Sequence, residues 1–173
     1  MPELPEVETV RRTLADRLCG RRIEGIEILS PNVVAAGETK AIEAAVCGRA
    51  ITGLARRGKY LLFSLDSGDV LVIHLRMTGR LSCVRRRTPR PVHTRLVLRL
   101  SGGDELRLVD QRRFARAYVA PEGDVRGIAG LATAGVEPLA DGFGPEILAR
   151  LLQGRSAPIK SFLLDQRHVA GLG

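Results

Sequence analysis

Over residues 3–19 the apolar positions Val7, Val10, Leu14 and Leu18 recur at helical spacing with charged residues between them, and predict an amphipathic helix. Glu8 can pair with Arg11 and Arg12, and Gly20 offers a C-terminal stop. The opening stretch MPELPEVE suits a helix start, where proline is tolerated and acids meet the positive end of the helix dipole. The period then changes. Residues 21–29, RRIEGIEIL, are strand-like, and 38–47, ETKAIEAAVC, predict a second short helix. Strands are predicted at 50–56, 59–65, 69–76, 79–84, 94–101, 105–110 and 115–120, with turn clusters such as DSGD, TPRP and SGGD between them. RLVLRL alternates with period two, which predicts one wet face. Residues 121–134, PEGDVRGIAGLATA, are glycine-rich and weakly patterned and predict a linker. Segments 144–153 and 157–166 predict helices, and VAGLG at 169–173 a turn.

A helix followed by many antiparallel strands argues an α+β fold: a β-sandwich flanked by helices over residues 1–120, the linker at 121–134, and an incomplete helical unit at 135–173. Two short helices cannot bury their apolar faces alone. With 173 residues, 45% of them hydrophobic, the chain can bury a sizeable core. No apolar run reaches the length of a membrane span and no signal segment opens the chain, so a cytoplasmic location is expected.

The net charge of +8 suits a polyanion such as nucleic acid. Only Lys40, Lys59 and Lys160 are lysines, which leaves 24 arginines among the 27 basic residues, a bias that coding composition can also produce. Cys19, Cys47 and Cys83 are far apart and form no CxxC pair; they read as buried free thiols and not as a zinc site.

GLARRGK, residues 53–59, matches a phosphate-binding loop up to its lysine, but Tyr60 stands where Ser or Thr must hold magnesium, and a strand follows where a helix should begin. No G-x-S-x-G elbow supports a hydrolase. The terminus itself carries chemistry. Met before a small Pro2 is normally removed, which frees a secondary amine. An α-amine is about one in ten neutral at pH 7, against roughly one in several thousand for lysine. Such an amine can condense with a sugar carbon to an iminium ion, with Glu3 beside it to move protons. The plain alternative is that Pro2 and Glu3 only start a helix.

MPELPEVETVRRTL resembles the N-terminus of bacterial formamidopyrimidine-DNA glycosylases. The resemblance continues in order through GKYLLF (58–63), HLRMTGRL (74–81), VDQRRF (109–114), GVEPL (135–139) and IKSFLLDQRHVAGLG (159–173), and so covers the whole chain. Leu4 separates it from the sister group, endonuclease VIII. The resemblance implies a β-sandwich, then a helix–two-turns–helix domain cut short here, with the family's C-terminal zinc finger and its four cysteines missing. No cofactor is implied for this chain. It implies removal of oxidised purines from damaged double-stranded DNA and cleavage of the strand by β,δ-elimination, by a monomer in a bacterial cytoplasm, at the nucleoid.

By that resemblance Pro2 attacks C1′, Glu3 gives and takes protons, Glu6 is a supporting acid, and Lys59 and His74 contact phosphates. Met77, Arg112 and Phe114 would fill the space behind a displaced base, and Lys160 would bind phosphate from the helical domain. By pattern alone Lys59 reads as a solvated strand-end lysine, and Met77, Phe114 and His74 as core. Ala115 stands where the family has glycine, which matters if that position needs positive φ. The competing expectation is a catalytically inactive DNA-binding remnant.

Overall fold

The computed structural model describes residues 1–35 and 38–173. Helix α1 spans Leu4–Leu18, and its first turn is closed by Glu6, whose Oε2 accepts the Glu3 backbone N–H at 2.9 Å. Leu4, Val7, Leu14 and Leu18 are buried, and Val10 lies at the edge of the stripe. Glu8 accepts from Arg11 and Arg12, as the spacing predicts, and also from Arg56 at 3.1 Å. The Arg11 hydrogen bond, opposed by burial and reinforced by Arg12 and Arg56, holds the Glu8 carboxyl down at about 2. This charged link lashes α1 to the strand that carries Arg56.

The strands follow as β1 (Ile23–Ile28), β2 (Ile51–Arg57), β3 (Tyr60–Leu65), β4 (Asp69–His74), β5 (Arg80–Arg85), β6 (Thr94–Leu100), β7 (Asp104–Val109) and β8 (Arg116–Pro121), with helix α2 (Thr39–Val46) between β1 and β2. They form two antiparallel four-stranded sheets, β1-β6-β7-β5 and β2-β3-β4-β8. After a first crossing from β1 to β2, the chain passes back to the first sheet between β4 and β5 and returns to the second between β7 and β8. His74 pairs with Arg116 in one sheet, and Arg80 with Val109 in the other. Those registers bring the two crossings, residues 75–79 and 110–115, side by side at one end of the sandwich. Tyr60 pairs with both Arg57 and His74, so the β2–β3 turn opens at that same end.

Leu61, Phe63, Leu71 and Ile73 from one sheet join Leu96, Leu98, Leu106 and Leu108 from the other in a single core, closed on one side by α1. On the outer face of the second sheet, Tyr60, Val70 and Val72 pack with Ile128 and Leu131. Those two residues belong to the segment 121–134, which also contains a short 3₁₀ turn at Glu122–Gly127.

The expected wet face of β6 is largely covered, and only Arg99 on it is partly exposed. Arg95 and Val97 are buried, and the neighbouring Arg107 is 1% exposed. The β5–β6 loop folds over this face. The Arg107 guanidinium donates to Glu105 Oε2 at 2.9 Å and to the carbonyls of Pro89 (3.0 Å), Thr88 (2.8 Å) and Arg86 (3.3 Å). Arg90 reaches Glu105 and Glu27 from the same loop. Period-two alternation reports which residues are polar; here the polar face is covered because the Arg107 guanidinium finds four acceptors beneath the loop. The thiols also differ from expectation: Cys83 is buried, Cys47 half-buried, and Cys19, at the end of α1 and off its apolar stripe, is exposed. Among the described residues no helix is long and apolar enough to cross a membrane, and no group of three His, Cys, Asp or Glu is arranged to hold a metal ion.

Residues 135–173 return to the sandwich through a parallel bridge between Val136 and Val169. Glu137 pairs with Arg56 at 2.8 Å and Arg57 at 3.2 Å, and accepts the Gly58 N–H, which clasps the β2–β3 turn. Helix α3 (Pro145–Leu152) buries no residue fully. Helix α4 (Ile159–Leu164) stops short of the predicted 166, where Asp165 turns to accept the Arg167 N–H. Buried Phe162 stacks on His168, ring centroids 4.1 Å apart.

Candidate active site

The Glu3 side chain faces the β2–β3 turn. There Lys59 Nζ stands 2.8 Å from Glu3 Oε2. That oxygen is sealed from solvent and has no well-directed hydrogen bond, so the ammonium meets it as a charge contact. Lys59 is 8% exposed and also donates to the Leu172 carbonyl at 2.9 Å. It is therefore not a solvated strand-end lysine. The end of the 159–173 motif seats here: the Leu4 N–H donates to the Gly171 carbonyl at 3.1 Å, and a Cβ at Gly173 would overlap the Glu3 carboxylate. Gly171, at φ +92°, likewise lies against Leu4.

Two hollows open beside this pair. One, of about 440 Å³, is lined by Lys59, His74, Arg76, Met77, Phe114 and Arg116 among others. The other, of about 490 Å³, is lined by Pro2, Glu6, Met77, Thr78 and Arg80 among others. Met1 and Met77 line both. Met77 and Phe114 are 39% and 44% exposed, so the structure takes both out of the core, where pattern alone would put them. Arg112 lies over the Phe114 ring, its Cζ 4.7 Å from the centroid.

His74 is buried yet lines the first hollow. Its Nδ1 accepts the Arg76 N–H at 3.0 Å, which leaves the proton on Nε2. Burial, then the charges of Arg76 and Lys59, push its pKa from 6.5 down to about 4. At neutral pH it is a neutral N–H donor. Its ring resonances are expected to titrate near pH 4 by NMR; a midpoint above 6 would contradict this environment. The depressed value also means that acidification from about 6.5 to about 4 weakens the fold through this residue.

The two crossings are joined by residues that the sequence did not single out. The Asp110 carboxylate, with no exposed surface, accepts the Ala115 N–H at 2.8 Å, the Arg112 N–H at 3.2 Å and the Thr78 hydroxyl. Burial raises its pKa, but the Ala115 N–H, the Thr78 hydroxyl and the Phe114 and Arg112 amides outweigh that and hold it low. The one sequence sign was an acid ending a strand just before a loop with two arginines. Ala115 is 2% exposed, and Arg76 and Arg113 are the non-glycine residues with positive φ among those described. The loop thus needs no glycine at 115.

Among the described residues, Arg76, Arg80, Arg112, Arg113 and Arg116 form no ion pair, whereas Arg11, Arg12, Arg56, Arg57, Arg90 and Arg107 all do. These five sit on or beside the two crossings; the other arginines without an ion pair, such as Arg17, Arg49, Arg126 and Arg150, are scattered elsewhere along the chain. Pro2, Glu3, Glu6, Lys59, His74, Met77, Arg112 and Phe114 thus gather at one end of the sandwich. Lys160 does not join them. It lines a separate apolar hollow of about 380 Å³ with Ile159, Leu163, Leu164, Leu172 and Gly173.

A family profile described as formamidopyrimidine-DNA glycosylase N-terminal domain matches residues 1–117. The formamidopyrimidine-DNA glycosylase of Moorella thermoacetica is 49% identical over all 173 residues, and that of Pelotomaculum thermopropionicum 44%. The chain spans 63% of the length of each. Lactococcus lactis Fpg in complex with DNA containing an abasic site superposes with a TM-score of 0.89 at 34% identity, over 99% of this chain and 62% of that one. A G226P mutant of the same enzyme with Fapy-dG DNA gives 0.89 at 35% identity, over 99% of this chain and 63% of that one.

Proposed function

The chain belongs to the formamidopyrimidine-DNA glycosylase family, and we propose that it acts on damaged duplex DNA in base-excision repair, as a glycosylase for oxidised purines and as an abasic-site lyase. One observation carries this reading: the Glu3 carboxylate and the Lys59 ammonium, 2.8 Å apart beside Pro2, stand next to two exposed apolar side chains on adjacent turns ringed by unpaired arginines.

In this mechanism Met1 is removed and the free nitrogen of Pro2 attacks C1′ of the damaged nucleoside as the bond to the base breaks. The Glu3 carboxylate takes the proton that the Pro2 nitrogen sheds on bonding to C1′ and passes it to the departing base. Ring opening gives an iminium ion between Pro2 and C1′, which makes the C2′ proton acidic. Loss of that proton expels the 3′ phosphate, and a second elimination expels the 5′ phosphate. Glu3 is the near base for these transfers, and Lys59 keeps its carboxylate aimed at the sugar and offers a cation to the adjoining phosphate. Loss of Met1 also removes one wall shared by both hollows, and gives the sugar access from either side.

Displacing a base costs a few kcal/mol in lost stacking and pairing. Met77 and Phe114 are suited to refill the stack, and Arg112, braced over Phe114, to meet the orphaned base. Neutral His74 offers Nε2–H to a phosphate. Glu6 contributes by capping Glu3.

The deciding experiment is borohydride trapping of Met1-free protein on a duplex with one abasic site. A covalent adduct of protein and DNA is expected. Salt-sensitive binding with no adduct would overturn the catalytic reading in favour of a DNA-binding remnant.

A further inference from the structure

The 75–79 and 110–115 crossings each contain a non-glycine residue in left-handed backbone, Arg76 at φ 56° and Arg113 at φ 60°. Each adjoins an exposed apolar side chain, Met77 in one turn and Phe114 in the other. Side chains rarely adopt such backbone, and it persists only where the surroundings over-determine it. The surroundings here converge on one buried acid. The Asp110 backbone donates to His93 O at 2.9 Å, and its carbonyl accepts from Arg95 Nε at 2.8 Å. Its carboxylate makes no ion pair among the described residues. Oδ2 takes the Ala115 N–H from its own loop, and Oδ1 takes the Thr78 hydroxyl from the other turn. Thr78 Oγ1 in turn accepts the Arg112 N–H at 3.2 Å. An acid serving only its own loop would need no partner across the gap.

We propose that Asp110, acting through the Thr78 hydroxyl, is a positioning residue that locks the Met77 turn and the 110–115 loop into one unit, so that Met77, Arg112 and Phe114 enter a duplex together. The proposal rests on the DNA reading above. A shared hydrogen bond of this kind makes two strained turns mutually dependent: loosening one removes an acceptor or a donor from the other. Insertion of both side chains then becomes one event, because neither turn can adjust alone.

The test uses Thr78→Val, which keeps the shape and removes the hydroxyl, and Thr78→Ser, which keeps the hydroxyl. Amide hydrogen exchange in the free protein is the first readout. In Thr78→Val, exchange at residues 76–79 and 111–115 is expected to rise together, at least tenfold, with Thr78→Ser unchanged. The second readout is the fluorescence of 2-aminopurine placed opposite a tetrahydrofuran abasic analogue, which reports unstacking. Thr78→Val is expected to slow that change at least tenfold while its affinity for undamaged duplex stays within twofold, and Thr78→Ser to restore the rate. Exchange that rises in one turn alone, or an unstacking rate equal to that of the wild type, overturns the proposal. A wild-type protein that gives no fluorescence change sinks the DNA reading instead, and with it the role assigned to Asp110, whatever the exchange pattern.

Discussion

Protein that retains a formylated Met1, and so has no free α-amine, is expected to yield at least 100-fold less borohydride-trapped adduct on abasic-site DNA than processed protein, at unchanged affinity for undamaged duplex. With Met1 attached, the Pro2 nitrogen is an amide whose lone pair is delocalised into the carbonyl, and it cannot form an iminium ion. The nearest alternative amine is Lys59, already 2.8 Å from Glu3. Its nitrogen is engaged by Glu3 and by the Leu172 carbonyl, and an adduct through it would first have to break both contacts. The sample is prepared with the deformylase inhibited, which keeps the formyl block and prevents removal of Met1, and is checked by intact mass. Equal trapping by retained and processed forms would transfer the nucleophile from Pro2 to a side chain. Trapping by neither would leave only DNA binding.

Arg107→Met should be the most destabilising single change outside the site, by about 3 kcal/mol or more, because it strands the fully buried Glu105 carboxylate with Arg90 as its remaining close partner. It also takes a donor from the carbonyls of Arg86, Thr88 and Pro89, and so releases the loop that covers the outer face of the first sheet. For a chain of this size the melting temperature should fall by about 6–12 °C. Replacing both partners, Glu105→Leu with Arg107→Met, should recover much of that loss, since a buried pair exchanged for apolar groups of similar volume is often neutral. Thermal unfolding followed by circular dichroism measures both. A fall of less than about 3 °C in the single variant would mean that the face under the loop is wetter than described.

Local pattern located the elements well, because each depends on neighbours in the chain. The stripe through Val7, Leu14 and Leu18 is α1, and the strand boundaries agree with turn clusters such as DSGD and SGGD to within a residue or two. What failed was inference from pattern to environment. RLVLRL alternates, yet most of its polar face is buried, since the covering loop arrives from residues 86–91. Met77 and Phe114 look like core residues in any window, and only the crossings between sheets turn them outward. Asp110 lies inside the VDQRRF motif, but its role is not legible there because its decisive partner, Thr78, is 32 positions away.

The amino-acid sequence alone determined the order and type of the elements, the α+β class, the surplus of arginine, and a first turn bearing Pro2 and Glu3 at the start of the chain. These follow from short-range periodicity, turn chemistry and composition. Only the tertiary structure decided which arginines are neutralised and which remain free, that Lys59 faces Glu3, and that two distant turns are braced by one buried carboxylate. Those outcomes depend on strand register across two sheets, which pairs His74 with Arg116 and Arg80 with Val109. Register is set by the cooperative burial of one core, a property that no local stretch of the chain contains.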